Sequence, residues 1–187
     1  MTLDNLYDEC INCTECELHK SRNNIVFGIG KTDADIMLIG EAPGEKEDLY
    51  AQPFVGRSGK LLDEMLGEVG LDRNKNIYIA NMLKCRPPEN RDPKPDEQKL
   101  CIGWLNKQIE LIDPKIIVCV GRISAQKLID KGFKVTKQHG EFIAKNGRLY
   151  TATYHPAAIL RNINNKPVAM EDWYKIRQKA DSLGINL

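Results

Sequence analysis

Residues 35–69, DIMLIGEAPGEKEDLYAQPFVGRSGKLLDEMLGEV, hold an apolar run, a loop rich in glycine and acid, and a helical pattern in direct succession. Ile36 to Ile39 reads as a buried strand, because its apolar residues follow one another without the alternation of a half-exposed sheet. From Lys60 to Val69 the apolar residues recur at helical spacing. The same order returns twice. Ile77 to Ala80 precedes a helix at Pro95 to Ile112, opened by Lys94-Pro95-Asp96-Glu97 with acids in its first turn. Ile116 to Val120 precedes a helix over Gly121 to Asp130. A fourth strand is expected at Leu149 to Thr153 and a last helix from Val168 to Ser182. The alternation predicts a three-layer α/β/α sandwich around a central, mostly parallel four-stranded sheet. Asn146-Gly147, between FIA and LYTATY, is a hairpin signal and predicts an antiparallel neighbour for the fourth strand.

The chain has 187 residues, enough for one substantial core, so a single domain over 1–187 is expected. With 42% apolar and 28% charged residues, its composition is that of a globular protein. A net charge of +1 does not by itself announce a nucleic-acid or membrane partner, and local patches must carry such a claim. No window approaches the ~20 apolar residues of a spanning helix. The start, MTLDNLYDEC, lacks a basic stretch followed by an apolar run, so a cytoplasmic location and no membrane partner are expected.

In a sheet of this kind ligands bind beyond the carboxyl ends of the strands, where strand order reverses. Four loops fall there: Gly40-Glu-Ala-Pro-Gly44, Asn81-Met-Leu-Lys-Cys85, Gly121-Arg122, and His155-Pro-Ala-Ala-Ile-Leu-Arg161. Glu41, Asn81 and His155 are their chemically loaded members. A P-loop reading of the first is disfavoured, since no GK[ST] follows and Glu41, Glu45, Glu47 and Asp48 would repel a polyphosphate.

Of six cysteines, Cys119 sits inside KIIVCVG and reads as core packing. Cys13 and Cys16, with Cys85 and Cys101, would tie the N-terminal segment to the body of the domain. Soft thiolates admit zinc or an iron–sulfur cluster. The separation of Cys85 from Cys101, across CRPPENRDPKPDEQKLC, is too long for a zinc-ribbon knuckle and favours the larger object. Cys10 could replace either N-terminal ligand on spacing alone.

CTECEL, GEAPG with its continuation to PFVGRSG, IANMLKCRPPENRDP, Cys101 and HPAAILR occur in an order that resembles the iron–sulfur, family 4 uracil-DNA glycosylases. The resemblance spans roughly residues 10 to 161. It implies a glycosylase-like α/β/α domain whose segment 10–20 closes a [4Fe–4S] site on Cys13, Cys16, Cys85 and Cys101, with Cys10 a spare thiol. It also implies hydrolysis of the bond between uracil and deoxyribose in single- or double-stranded DNA, which leaves an abasic site and opens base excision repair.

Under that resemblance the pocket must stabilise a leaving uracil anion and an oxocarbenium-like sugar. His155 would donate toward uracil O2, and Pro156 would pin its loop. Asn81 offers a donor and an acceptor matched to uracil O4 and N3–H, whereas cytosine presents the reverse pattern. Phe54 would stack on the flipped base. Glu41 would orient water or face positive charge on the sugar, and Glu47 would crowd the C5 side of the base. Backbone amides around Gly40, Ala42 and Gly44 would meet the base edge or a phosphate. Arg57, Ser58, Lys84, Arg86 and Arg161 would meet DNA phosphates, and Leu160 would wedge into the base stack. Uracil-containing DNA is the expected partner, replication or repair proteins are further candidates, and the chain is expected to act as a monomer. The competing reading is a non-catalytic iron–sulfur DNA-binding module associated with replication.

Overall fold

The computed structural model describes residues 1–187. Its centre is a six-stranded sheet in the order β1-β3-β2-β4-β6-β5. The strands are β1 (Ile29–Gly30), β2 (Ile36–Gly40), β3 (Ile77–Asn81), β4 (Ile116–Val120), β5 (Ile143–Lys145) and β6 (Arg148–Thr153). The inner four are parallel and coincide with the four expected strands to within a residue. Every residue of β2, β3 and β4 is buried, so their unbroken apolar runs reflect coverage on both faces. The expected four-stranded sheet is therefore extended at both edges. β5 closes the hairpin at Asn146-Gly147 and pairs antiparallel with β6, and β1 adds two residues antiparallel to β3.

Helices form the outer layers. On one face α3 (Arg57–Glu68), α7 (Pro156–Arg161) and α8 (Asn165–Ser182) bury Leu62, Met65, Ile159 and Trp173 against Ile36, Leu38, Ile79 and Val118. On the other, α4 (Pro95–Ile112), α5 (Arg122–Leu128) and α6 (Val135–Gln138) cover Met37, Ile39, Cys119 and Ala152. Cys119 is thus a core thiol. A third apolar cluster joins α1 (Leu3–Cys10) to Leu18, Phe27, Leu83 and Cys101, fastening the N-terminal segment onto α4. The remaining short helix is α2 (Glu45–Tyr50). No helix is long and apolar enough to cross a membrane.

The sheet order places β2 between β3 and β4, so the direction of winding reverses beside β2. The carboxyl ends of all four parallel strands share that edge of the sheet, and the loops leaving them build the site.

Candidate active site

An open cleft of about 710 Å³ lies at this edge, within the range usual for ligand sites, ~300–1,000 Å³. Glu41, Asn81, Gly121 and His155, each at the exit of a different parallel strand, all line it, together with Ala42, Gly44, Glu47, Phe54, Ser58 and Arg161. Gly40 does not line it. It pairs with Asn81 across β2 and β3, and a Cβ there would collide with the Asn81 amide oxygen and the Phe54 ring. The glycine is the space into which the floor of the cleft is packed.

Phe54 has φ +53°, a left-handed conformation that costs an ordinary residue ~1–2 kcal/mol. The neighbours hold it there. Arg73 donates to the carbonyls of Pro53 at 2.7 Å and Phe54 at 2.8 Å while paired with Asp63 at 2.7 Å. Glu47 Oε1 accepts from the amides of Val55 and Gly56, both at 2.9 Å. Gly59, inside α3, leaves room for the Phe54 main chain to press against the helix. The aromatic ring is buried and lies 5.6 Å from the His155 ring, tilted 33°.

His155 precedes α7, and its Nδ1 accepts from the amide of Ala157 at 3.1 Å. The proton of a neutral ring is therefore on Nε2, which becomes a donor. Burial, assisted by the Arg161 guanidinium, holds the pKa at about 4, so the ring is neutral at physiological pH. Glu41 is displaced the opposite way. Burial and the Asp92 carboxylate raise it to about 7, against the pull of Arg122. Asp92 and Arg122 pair at 3.0 Å, and both line the cleft.

Lys84 corrects the sequence expectation of a phosphate contact. The side chain is 1% exposed, and its Nζ donates to Phe27 O at 3.2 Å, Asn81 O at 2.9 Å and Gln108 Oε1 at 2.5 Å. An ammonium so enclosed cannot reach DNA. Arg86 donates to Asn90 Oδ1 at 2.8 Å, and Arg57 is exposed at the start of α3; neither lines the cleft. Leu160 is 40% exposed beside the fully buried Ile159, at the end of α7. Arg73 and Asp92 were not singled out by the sequence, and Arg122 was named only as part of the loop after β4. For Arg122 the signal was its place directly after β4; Arg73 carried none.

A model of the uracil DNA glycosylase superfamily matches residues 27–177. A type-4 uracil-DNA glycosylase of Archaeoglobus fulgidus is 43% identical over 94% of this chain and 92% of its own length. One of Sulfurisphaera tokodaii is 44% identical over 96% and 85%. The chain belongs to the uracil DNA glycosylase superfamily, in its type-4 group. A DNA polymerase of Bacillus phage SP01 is also similar, 35% identical over 72% of this chain but only 14% of the polymerase.

Cys13, Cys16, Cys85 and Cys101 line one apolar recess with Ile25, Leu100 and Trp104, and all six cysteines of the chain are free. The amide of Lys84 donates to Cys101 Sγ and Arg22 Nη1 to Cys85 Sγ, both at 3.3 Å. Four thiols around one recess, with N–H donors on two sulfurs, fit a polynuclear iron–sulfur group. Cys10 is fully buried but does not line the recess, and burial raises its thiol to about 12.

Proposed function

We propose that this chain hydrolyses the N-glycosidic bond of deoxyuridine in DNA, releasing uracil and leaving an abasic site. The observation that carries the proposal is the neutral His155, whose Nδ1 is committed to Ala157 so that Nε2–H is free to donate, in one cleft with Asn81, Phe54 and Glu41. In the reaction the C1′–N1 bond breaks and its electron pair leaves with uracil. A bond forms from water oxygen to C1′, and the water's proton passes to Glu41 or solvent.

His155 Nε2–H stabilises the charge that develops on the uracil oxygen, a task for which a neutral donor suffices. Asn81 pairs with uracil O4 and N3–H, and Phe54 stacks on the extruded ring. Glu41, whose proton is held near neutrality, orients the water and faces the electron-poor sugar. Glu47, with Oε1 on the Phe54 loop, sets the wall beside C5. Ala42 and Gly44 border the base, while Ser58, Arg161 and the exposed Arg57 meet phosphates. Leu160 occupies the gap left in the duplex.

A [4Fe–4S] cluster on Cys13, Cys16, Cys85 and Cys101 would supply structural order, joining the N-terminal segment, the loop after β3 and α4. In this reading the chain acts in the cytoplasm, as a single domain over 1–187 and as a monomer.

Likeness to part of a phage polymerase favours a second reading, a non-catalytic DNA-binding module of replication. Base release separates the two. Labelled deoxyuridine oligonucleotides, single- and double-stranded, are expected to yield free uracil with the wild type. His155→Ala is expected to lower the rate about 100- to 1,000-fold. Binding without base release by cluster-loaded protein would overturn the proposal in favour of the module.

A further inference from the structure

We propose that Lys134 and Lys137 form the centre of a basic ridge that follows the DNA phosphate backbone away from the cleft, a contact surface additional to Arg57, Ser58 and Arg161. The proposal rests on DNA being the substrate. Between residues 122 and 148 there are seven Lys or Arg against two Asp or Glu, a charge of +5 where the whole chain carries +1, so the rest is at −4. Arg122 and Arg148 pair with Asp92 and Asp113, so the unpaired charge of this segment sits on its lysines and gives a polyanion a place to lie.

Position ties this charge to the site. Val135 and Thr136 of α6 line the cleft, and the two lysines flank them in sequence. Lys127, Lys131, Lys134 and Lys137 are all exposed. None takes part in any of the molecule's ion pairs. An ordinary solvated face would intersperse acids among such lysines. Of the two acids in the segment, Asp130 accepts from the Gly132 amide at 2.7 Å, capping its own turn. The buried Phe133 and Val135 anchor the backbone on either side of Lys134, so the ridge is attached to the core.

The test is the salt dependence of binding to a duplex of about 30 base pairs, read by anisotropy without need of base release. Each phosphate contact contributes about 0.9 to the slope of log affinity against log salt. Lys134→Ala/Lys137→Ala is expected to reduce the slope by about 1.8. Lys75→Ala/Lys115→Ala, at the amino ends of β3 and β4 and so across the molecule from the cleft, is expected to leave it unchanged. Release of uracil from an oligomer of about four nucleotides, too short to cover both cleft and ridge, is expected to be the same in wild type and the Lys134/Lys137 variant. An unchanged duplex slope overturns the ridge, as does an equal fall in the Lys75/Lys115 control. Binding to phosphatidylserine vesicles that is lost in the Lys134/Lys137 variant, with the DNA slope intact, overturns it in favour of a membrane surface. Wild type that binds duplex but releases no uracil would sink the glycosylase proposal alone, since the slope still decides the ridge.

Discussion

The ammonium of Lys84 donates to the main-chain carbonyl of Asn81 at 2.9 Å, and the amide of the same lysine donates to Cys101 Sγ at 3.3 Å. One residue thereby joins the floor of the cleft to the thiol recess. Burial pulls the ammonium down to about 8, opposed by the nearby thiols, so it remains largely charged at neutral pH. Lys84→Met keeps the volume but leaves the oxygens of Phe27, Asn81 and Gln108 without that donor. The expected cost is about 3 kcal/mol in urea denaturation. In protein that still folds, KM for deoxyuridine DNA is expected to rise more than kcat falls. Unchanged stability would show that the three oxygens find other donors.

Glu41 and His155 make opposite contributions to pH dependence. With Glu41 near 7, kcat/KM is expected to fall as pH drops through about 7, and Glu41→Gln should flatten that limb along with lowering the rate. His155 adds no acid limb above about 4. Stability follows the same logic. Glu41 ionises in the unfolded chain near 4.5 but in the folded protein only near 7, so its ionisation destabilises the fold as pH rises through that window. Glu41→Gln is accordingly expected to gain ~1–2 kcal/mol at pH 8 relative to pH 4, measured by urea midpoint. His155 takes up a proton near 6.5 when unfolded and near 4 when folded, so its contribution weakens as pH falls from 6.5 to 4.

Arg73 lies outside the cleft yet bonds both carbonyls that fix Phe54. Arg73→Ala is expected to lower kcat/KM about tenfold by freeing a strained loop. Arg73→Lys, which has one point donor where the guanidinium forks, should recover only part of this. Equal activity in all three proteins would remove Arg73 from the account of the site.

The cysteines divide by geometry. Substituting Cys13, Cys16, Cys85 or Cys101 by Ala is expected to abolish visible absorbance near ~400 nm and lower stability sharply. Cys10→Ala should retain the absorbance and cost about 1 kcal/mol, as for a small cavity in a core. Loss of the band in Cys10→Ala would make it a ligand.

The four parallel strands were legible because burial on both faces leaves an uninterrupted apolar run, and Pro95–Ile112 was legible from its capped first turn. β1 was not, since its two residues, Ile29 and Gly30, carry no periodicity, and both Gly30 and the preceding Gly28 have positive φ. Glu41, Asn81 and His155 could be found by their place at strand exits. The burial of Lys84 could not, because its partners Phe27 and Gln108 are distant in sequence and meet it only in the third dimension. The protonation of His155 was hidden for a similar reason, as it depends on the enclosure of the ring and on Arg161.

Phe54 is already clamped in its left-handed pose by Arg73, Glu47 and Gly59. Such a cleft acts as a gauge: a ring either passes between its fixed walls or is turned back. Time spent on each nucleotide is then governed by how long that nucleotide stays outside the helix, and weakly paired or unpaired uracils should be removed first.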